Sequence, residues 1–484
     1  MPSTLNSFLW KLAERTSAQV VSLVVSIVLA RVLMPSDFGV VAMVMIFITL
    51  ANVLVESGFS SALIQKKDAD IVDFSTVFFF SLFFSLILYI VLFFCAPFIS
   101  SFYGKGYEIL TPVLRVLGLQ IMIYAVNSVQ QAYVSKKMMF KKFFWATLVG
   151  TLISGAVGLS MAWLGCGVWS IVGQQLTMTT VNTLTLYAIT RKRPQMIFSF
   201  ERLRGLFSFG ASVLGTNLLI TVYQELRALI IGKVYSSQDL AYFDRGRQFP
   251  SLAVNNINAS ISAVLFPKIA LEQDDISKVR STVRNSIRMS SFVMFPILLG
   301  MAAMAEPLVR LLLTDKWLPC VPILQLMCIV NLFQPIYSAN SQALKAIGKS
   351  NTLLKIEILK KVIELVTLLM VMRISVMAIV VNMVVMAALF VFAYAYPNKS
   401  YIGYSFANQF GDIMKPFSLA LAMAIVMYGV NYINISSFLI IIIQAIIGVV
   451  IYAFLTKRFM RDEYQFVIGS ARTKLTAIYE KVKS

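Results

Sequence analysis

The chain contains no histidine. That removes the one side chain whose ordinary pKa lies near neutrality, so any proton coupling falls to Asp or Glu. It also removes the usual nitrogen ligand of zinc. The four cysteines, Cys95, Cys166, Cys320 and Cys328, form no CxxC pair; with no metal or redox motif to serve, they read as small packing residues. Charge is scarce, at 13% of 484 residues, against roughly 25% in a soluble protein. Acidic residues are the rarer kind, 22 against 42 Lys and Arg, for a formal net charge of +20. No Walker A sequence, GxSxG, HExxH or paired Cys–His arrangement occurs, which argues against nucleotide hydrolysis and the common hydrolytic chemistries. No cleavable leader is expected: the first ten residues lack a basic start, and the first apolar run begins only near Gln19.

What is present is apolar surface: 58% of the residues are hydrophobic, and such a surplus needs lipid as its solvent. Crossing a bilayer takes ~20 apolar residues as a helix, and helix is forced because lipid offers backbone groups no partners. Fourteen segments qualify: 13–34, 39–64, 73–97, 109–134, 143–164, 167–190, 205–231, 238–267, 288–313, 320–344, 352–372, 374–396, 416–433 and 437–456. The expected fold class is therefore all-α integral membrane. The cations cluster in alternate gaps: Lys136, Lys137, Lys141 and Lys142; Arg191, Lys192 and Arg193; Lys268 to Arg288. Only Arg31, Lys105, Lys233, Lys316 and Arg373 belong to the other set of gaps. This is the positive-inside pattern of a multi-pass inner-membrane protein with cytoplasmic N- and C-termini. The basic charge lies in short loops and a tail without interleaved aromatics, so anionic headgroups and topology explain it and nucleic acid is not an expected partner.

The chain also repeats itself. Val28-Leu-Ala-Arg-Val-Leu-Met-Pro-Ser-Asp37-Phe-Gly aligns with Ile230-Ile-Gly-Lys-Val-Tyr-Ser-Ser-Gln-Asp239-Leu-Ala at an offset of 202, pairing Arg31 with Lys233 and Asp37 with Asp239. Pro97 pairs with Pro307 and Pro112 with Pro322 further on. Six segments, an even number, separate the copies, which makes them parallel repeats about an axis along the membrane normal. The expected organisation is an N-lobe over 1–190, a basic cytoplasmic linker over 191–204, a C-lobe over 205–396, two further helices over 397–456, and a basic tail over 457–484 on the inner membrane surface.

Polar residues inside spans cost roughly 2.5–3.5 kcal/mol for a central charge, so they should face a cavity or a partner. In the eighth segment Asp244, Gln248, Ser251, Asn255, Asn258 and Ser262 step by 4, 3, 4, 3 and 4, which is one helix face, with Arg247 beside it. The second segment carries Thr49, Asn52, Glu56 and Ser60 on one face. The first has Arg15, Gln19, Ser22 and Ser26. Its repeat partner, the seventh, has Asn217, Thr221 and Gln224 with Glu225 and Arg227 nearby. Four polar stripes are thus expected to face a hydrated central cavity; the bland alternative is interhelical hydrogen bonding in a packed bundle. Glu306 with Arg310, and Lys360 or Lys361 with Glu364, read as local pairs. Arg115 has no partner within its own helix.

Leu29-Ala-Arg-Val-Leu-Met-Pro-Ser-Asp-Phe-Gly39, followed by Glu56-Ser-Gly-Phe-Ser-Ser-Ala-Leu-Ile-Gln-Lys66, resembles the start of Wzx-type polysaccharide flippases of the MATE-like, or MOP, exporter superfamily. Within it, the branch of colanic acid and teichuronic acid exporters is the most similar. Tyr242 to Pro250, Val264-Leu-Phe-Pro-Lys268, Lys316-Trp-Leu-Pro-Cys-Val-Pro-Ile-Leu-Gln-Leu326 and Ala346-Ile-Gly-Lys349 agree in order and spacing. The resemblance implies a V-shaped pair of six-helix lobes working by alternating access. It implies flipping of undecaprenyl-diphosphate-linked oligosaccharide to the outer leaflet, for O-antigen, capsule or exopolysaccharide export. Partners would be that substrate, membrane lipids, and a polysaccharide polymerase with export machinery. Arginines suit a diphosphate and amides or hydroxyls suit sugars. Arg15 and Arg247 are assigned the former, and Gln19, Gln248, Asn255 and Asn258 the latter. No cofactor is expected; coupling to H+ or Na+ would fall to Glu56 first, then Asp244, Glu225 or Glu364. The alternatives are a lipid II or multidrug exporter of the same superfamily and, further off, a membrane polysaccharide polymerase, for which the outward loops are too short.

Overall fold

A computed structural model describes residues 19–465 apart from 57 and 191–193, together with 469; at 208, 209, 212, 260 and 262–264 it describes the backbone alone. Arg15, the start of the linker and most of the basic tail thus lie outside the described residues, as does the side chain of Ser262. Among the described residues every regular element is a helix. The chain divides into two compact units, Met1–Ala241 and Tyr242–Ser484.

The first unit holds α1 (Gln19–Val32), α2 (Pro35–Glu56), α3 (Phe59–Gln65), α4 (Ile71–Tyr103), α5 (Leu110–Lys136), α6 (Phe140–Trp163), α7 (Val168–Thr190), α8 (Phe200–Val234) and the first turn of α9 (Ser237–Leu271). The second holds the rest of α9, then α10 (Ile276–Ala303), α11 (Ala305–Leu313), α12 (Val321–Asn331), α13 (Gln334–Ala346), α14 (Ser350–Val371), α15 (Val376–Ile402), α16 (Phe406–Gly429) and α17 (Ser437–Phe459). Among the described residues, the expected segments, the first from Gln19 onward, fall on single helices or on broken pairs. Among the described residues, nine such stretches are long and apolar enough to cross a membrane. The helices α7, α8, α9 and α14 have the length, at 23, 35, 35 and 22 residues, but their polar side chains lower their hydropathy. Large apolar side chains stand exposed along α4 and α17, among them Phe94, Phe98, Val449 and Phe454. That is the surface a multi-pass membrane protein turns to lipid.

The structure corrects several boundaries. Segment 39–64 is broken between α2 and α3, segment 288–313 at Met304, and segment 320–344 between Asn331 and Gln334. The last break has a local cause: Pro335 sits in the first turn of α13, where its missing N–H costs nothing. The stretch from Lys268 to Arg288, expected as a connection, is helical up to Leu271 and again from Ile276 onward.

The repeated sequence makes the same corner twice. Asp37 sits in the first turn of α2 and accepts from the Met34 backbone N–H at 3.1 Å. Asp239 sits in the first turn of α9, where the Ser236 hydroxyl donates to it at 2.6 Å. An acidic residue there satisfies a free N–H or hydroxyl and complements the helix dipole.

Small and amide side chains knit the helices. A Cβ on Gly158 of α6 would lie 2.9 Å from Gln174 Cβ of α7, and one on Gly58 would lie 2.7 Å from the Gly210 carbonyl of α8. Such close backbone approach is how helices associate where no hydrophobic effect drives them together. In the second unit Asn340 donates to Gln409 at 2.8 Å and accepts from Asn398 at 2.5 Å, tying α13, α15 and α16 through fully buried amides.

Candidate functional site

In the first unit a cavity of about 330 Å³ opens between α2, α3, α5 and α8. Its polar lining is Glu56, Ser60, Ser61, Ser128, Gln131, Ser135, Asn217 and Thr221. The Gly58–Gly210 contact makes this arrangement, because α3 and α8 touch backbone to backbone and Asn217 and Thr221 follow two and three turns along α8. Glu56, at the end of α2, accepts a hydrogen bond from the Tyr124 hydroxyl of α5. The structure thereby brings together Glu56, Ser60, Asn217 and Thr221 of the residues expected from the sequence. Four others, Tyr124, Ser128, Gln131 and Ser135, were not expected. They step by 4, 3 and 4 along α5, so the same spacing rule that marks the stripe on α9 would find them.

The remaining residues of this unit are less gathered. Asn52 is half-buried on α2, and its amide oxygen is buried with no hydrogen-bond partner among the described residues. Gln19 is half-buried on α1, while Ser22 and Gln224 are exposed. The Arg227 guanidinium donates to the Tyr223 hydroxyl at 3.1 Å and lies 5.3 Å from its ring centre, with Glu225 half-buried nearby in sequence. Arg115, without a partner in its own helix, donates to the Phe93 carbonyl of α4 at 3.2 Å and stacks on that ring at 4.2 Å.

In the second unit the first half of α9 carries two interleaved pairs. Arg247 meets Asp244 at 3.1 Å, with side chains 41% and 31% exposed. Arg245, only 8% exposed, donates to Gln248 at 2.8 Å and packs 5.4 Å from the centre of the Trp317 ring. Gly246 between them lets α9 approach α12, since a Cβ there would lie 2.6 Å from Ile323. Further along, Asn258 donates to Gln334 at 3.5 Å and keeps a buried amide oxygen with no partner among the described residues; Asn255 is exposed. Glu364 is buried on α14 and lies 3.9 Å from Lys361, as expected of that pair. Lys360 instead caps the rings of Tyr337 and Tyr394, at 4.7 and 5.4 Å. Glu306 and Arg310 do form their pair, at 3.1 Å, with Asp315 joining at 3.0 Å.

Chemically, the first unit offers a carboxylate among hydroxyls and amides, and the second offers guanidinium groups among amides and aromatic rings. Among the described residues no group of three or more acidic, cysteine or histidine side chains is placed to hold a metal ion.

Comparison with known proteins adds the following. Residues 28–322 match the model of a family described as polysaccharide biosynthesis protein. Over 393 residues the chain is 25% identical to the teichuronic acid biosynthesis protein TuaB of Bacillus subtilis (strain 168), covering 79% of each chain. Over 320 residues it is 22% identical to the succinoglycan biosynthesis transport protein ExoT of Rhizobium meliloti (strain 1021), covering 66% of this chain and 64% of that one. Its fold is similar to that of the lipid II flippase MurJ in an inward closed conformation, with a TM-score of 0.77 and 17% identity over 94% of this chain and 99% of that one.

Proposed function

Because the chain belongs to the polysaccharide biosynthesis protein family, we propose that it is a flippase of the bacterial inner membrane. It moves undecaprenyl-diphosphate-linked oligosaccharide repeat units to the outer leaflet by alternating access, for O-antigen, capsule or exopolysaccharide export. It is a transporter, not an enzyme, with both termini in the cytoplasm. The repeat-based lobes over 1–190 and 205–396 belong to this reading, as do a polysaccharide polymerase and export machinery as its neighbours in the pathway.

One observation supports it most: the cavity lined by Glu56, serine hydroxyls and the amides of Gln131 and Asn217. A polyhydroxylated ligand needs convergent donors and acceptors, whereas an apolar drug is held by apolar and aromatic walls. The buried amide oxygens of Asn52 and Asn258, without a partner among the described residues, are further acceptors; a sugar hydroxyl would relieve the desolvation of each, roughly 1–3 kcal/mol. In this reading Asn217, Thr221, Gln19, Ser22, Gln224, Gln248 and Asn255 contact sugar, while Arg15, Arg227 and Arg247 serve the diphosphate or acidic sugars. Glu56 couples transport to H+ or Na+, ahead of Asp244, Glu225 and Glu364.

The test is a strain lacking the gene, beside its complemented control, in which polyprenyl-linked glycans are extracted and assigned to a leaflet. Complete repeat units held on the inner leaflet, with surface polysaccharide lost, are the expected result. Units that reach the outer leaflet but stay unpolymerised would make the protein a polymerase. Unchanged glycans would make it an exporter of lipid II or drugs.

A further inference from the structure

A second cavity, of about 560 Å³, lies in the second unit where α10 and α16 begin. Arg280, Arg284 and Arg288 step by four along α10 and line it together with Lys415 of α16; Asp412 is its one carboxylate. Two of the cations are already held. Arg284 makes a bidentate pair with Asp412, at 2.8 Å to each oxygen, and Asp412 also accepts from the Tyr404 hydroxyl at 2.8 Å. Arg288 pairs with the buried Glu463. Among the described residues, the other two meet no carboxylate. Arg280 gives only its Nε, to the Ile402 carbonyl at 2.7 Å. Its guanidinium is seated against Gly403, at φ 64°, where a Cβ would lie 1.7 Å from Nη2. The Lys415 side chain is exposed and has no hydrogen-bond or ion-pair partner among the described residues.

Counting Glu463, among the described residues four cations face two carboxylates, so two positive charges converge there without a carboxylate partner. Ala407 and Asn408, in the first turn of the 24-residue α16, complete the wall and add the positive end of a helix dipole. The site stands where polarity changes: beyond Arg288 and Lys415 both helices turn apolar, and Ala422 and Val426 continue the cavity's face of α16 as exposed apolar surface. A free anion would leave that surface unused. A lipid uses both, with its phosphate on the cations and an acyl chain on the apolar stripe.

We propose that this basic cavity binds the phosphate of an anionic glycerophospholipid headgroup, one lipid docked at the α10–α16 corner at headgroup level. Arg280 and Lys415 contact the phosphate. The Arg284–Asp412–Tyr404 and Arg288–Glu463 links hold the pocket open. The proposal is independent of which glycan is transported.

The test uses the purified full-length chain exposed to vesicles of phosphatidylcholine, alone or mixed with phosphatidylglycerol. Lipid retained after detergent washing is identified by native mass spectrometry, and thermal unfolding is followed in parallel. Wild-type protein should keep phosphatidylglycerol and not phosphatidylcholine, and should unfold at a higher temperature with it. Inorganic phosphate, millimolar by itself, should neither displace the lipid nor reproduce that shift. The double variant Arg280→Gln/Lys415→Gln should retain at least about tenfold less, the equivalent of ~1.4 kcal/mol. The exposed single variant Lys415→Gln, whose folding is not at risk, should lose part of it, and Arg310→Gln none. Equal retention by the double variant and the wild type would overturn the site. Equal retention of phosphatidylcholine would overturn its charge selectivity, and displacement by inorganic phosphate would make it a soluble-anion site.

Discussion

Glu56 of α2 lines a cavity among serine hydroxyls and amides, whereas the aligned position on α9, 202 residues on, is Asn258, with an unused buried oxygen. The guanidinium groups of α9 lie instead in its first half, where Arg245 is buried against Trp317 and Arg247 is paired with Asp244. Two helices that enter through the same acid-capped corner thus present a carboxylate in one unit and guanidinium groups in the other. The difference teaches that helices sharing a corner in sequence need not share chemistry. An acid able to exchange a cation and a base able to hold an anion are best kept on separate elements, since side by side each would neutralise the other, as Asp244 and Arg247 already do.

The sharpest way to break this contrast is Arg245→Ala. It removes the contact with the Trp317 ring and leaves the Gln248 carbonyl without its donor. A loss of ~2–4 kcal/mol is expected, from lost packing and an unsatisfied buried polar group. Arg247→Ala, at an exposed pair, should cost under ~1 kcal/mol. Equal shifts in the unfolding of the two variants in detergent would contradict the asymmetry between them.

Glu56→Gln tests the other side. It keeps an acceptor for Tyr124 while removing the charge, so protein abundance should hold. Transport driven by an ion gradient should fall at least about tenfold, ~1.4 kcal/mol of barrier. Unchanged transport with unchanged dependence on H+ and Na+ would remove Glu56 from coupling. Tyr124→Phe should fall between Glu56→Gln and wild type.

The smallest effect compares like with like across the units. Asp70 caps α4 in a reciprocal box with Asp73, which also meets Lys66 at 2.7 Å; Asp275 caps α10 through the Lys278 N–H at 3.1 Å. Asp70→Ala should cost about 1 kcal/mol, and Asp275→Ala less. The backbone N–H of Asp73, and then Arg202, hold the Asp70 carboxyl below its ordinary 3.8 against the opposing effect of burial. The Lys278 backbone N–H does the same for Asp275. A lowered folded-state pKa means that each cap's contribution is present above pH 3.8 and is lost as pH falls through the folded value. The difference between each variant and wild type should therefore shrink in acid; unfolding measured at pH 7 and near pH 3 checks this.

Much of this was legible in one dimension. The helical class, the repeated corner at Asp37 and Asp239 and the Glu306–Arg310 pair all follow from local spacing and the demands of lipid. The α5 stripe was equally readable, because Tyr124, Ser128, Gln131 and Ser135 share one face. Arg115 was not, since its partner is a carbonyl on α4. Nor was the division between Arg245 and Arg247. Both lie three residues from a polar partner, and nothing within α9 says which guanidinium meets Trp317.

What the amino-acid sequence by itself determined was therefore everything governed by neighbours along a helix: which stretches suit lipid, where helices start, and which side chains share a face. Only tertiary structure decided which faces meet. It set Gly58 against Gly210 so that Glu56, Gln131 and Asn217 share a cavity, buried Arg245 rather than Arg247, and gathered Arg280 and Lys415 from helices over a hundred residues apart. The physical reason is that helix periodicity acts over three or four residues, whereas a close contact between two helices depends on both surfaces at once.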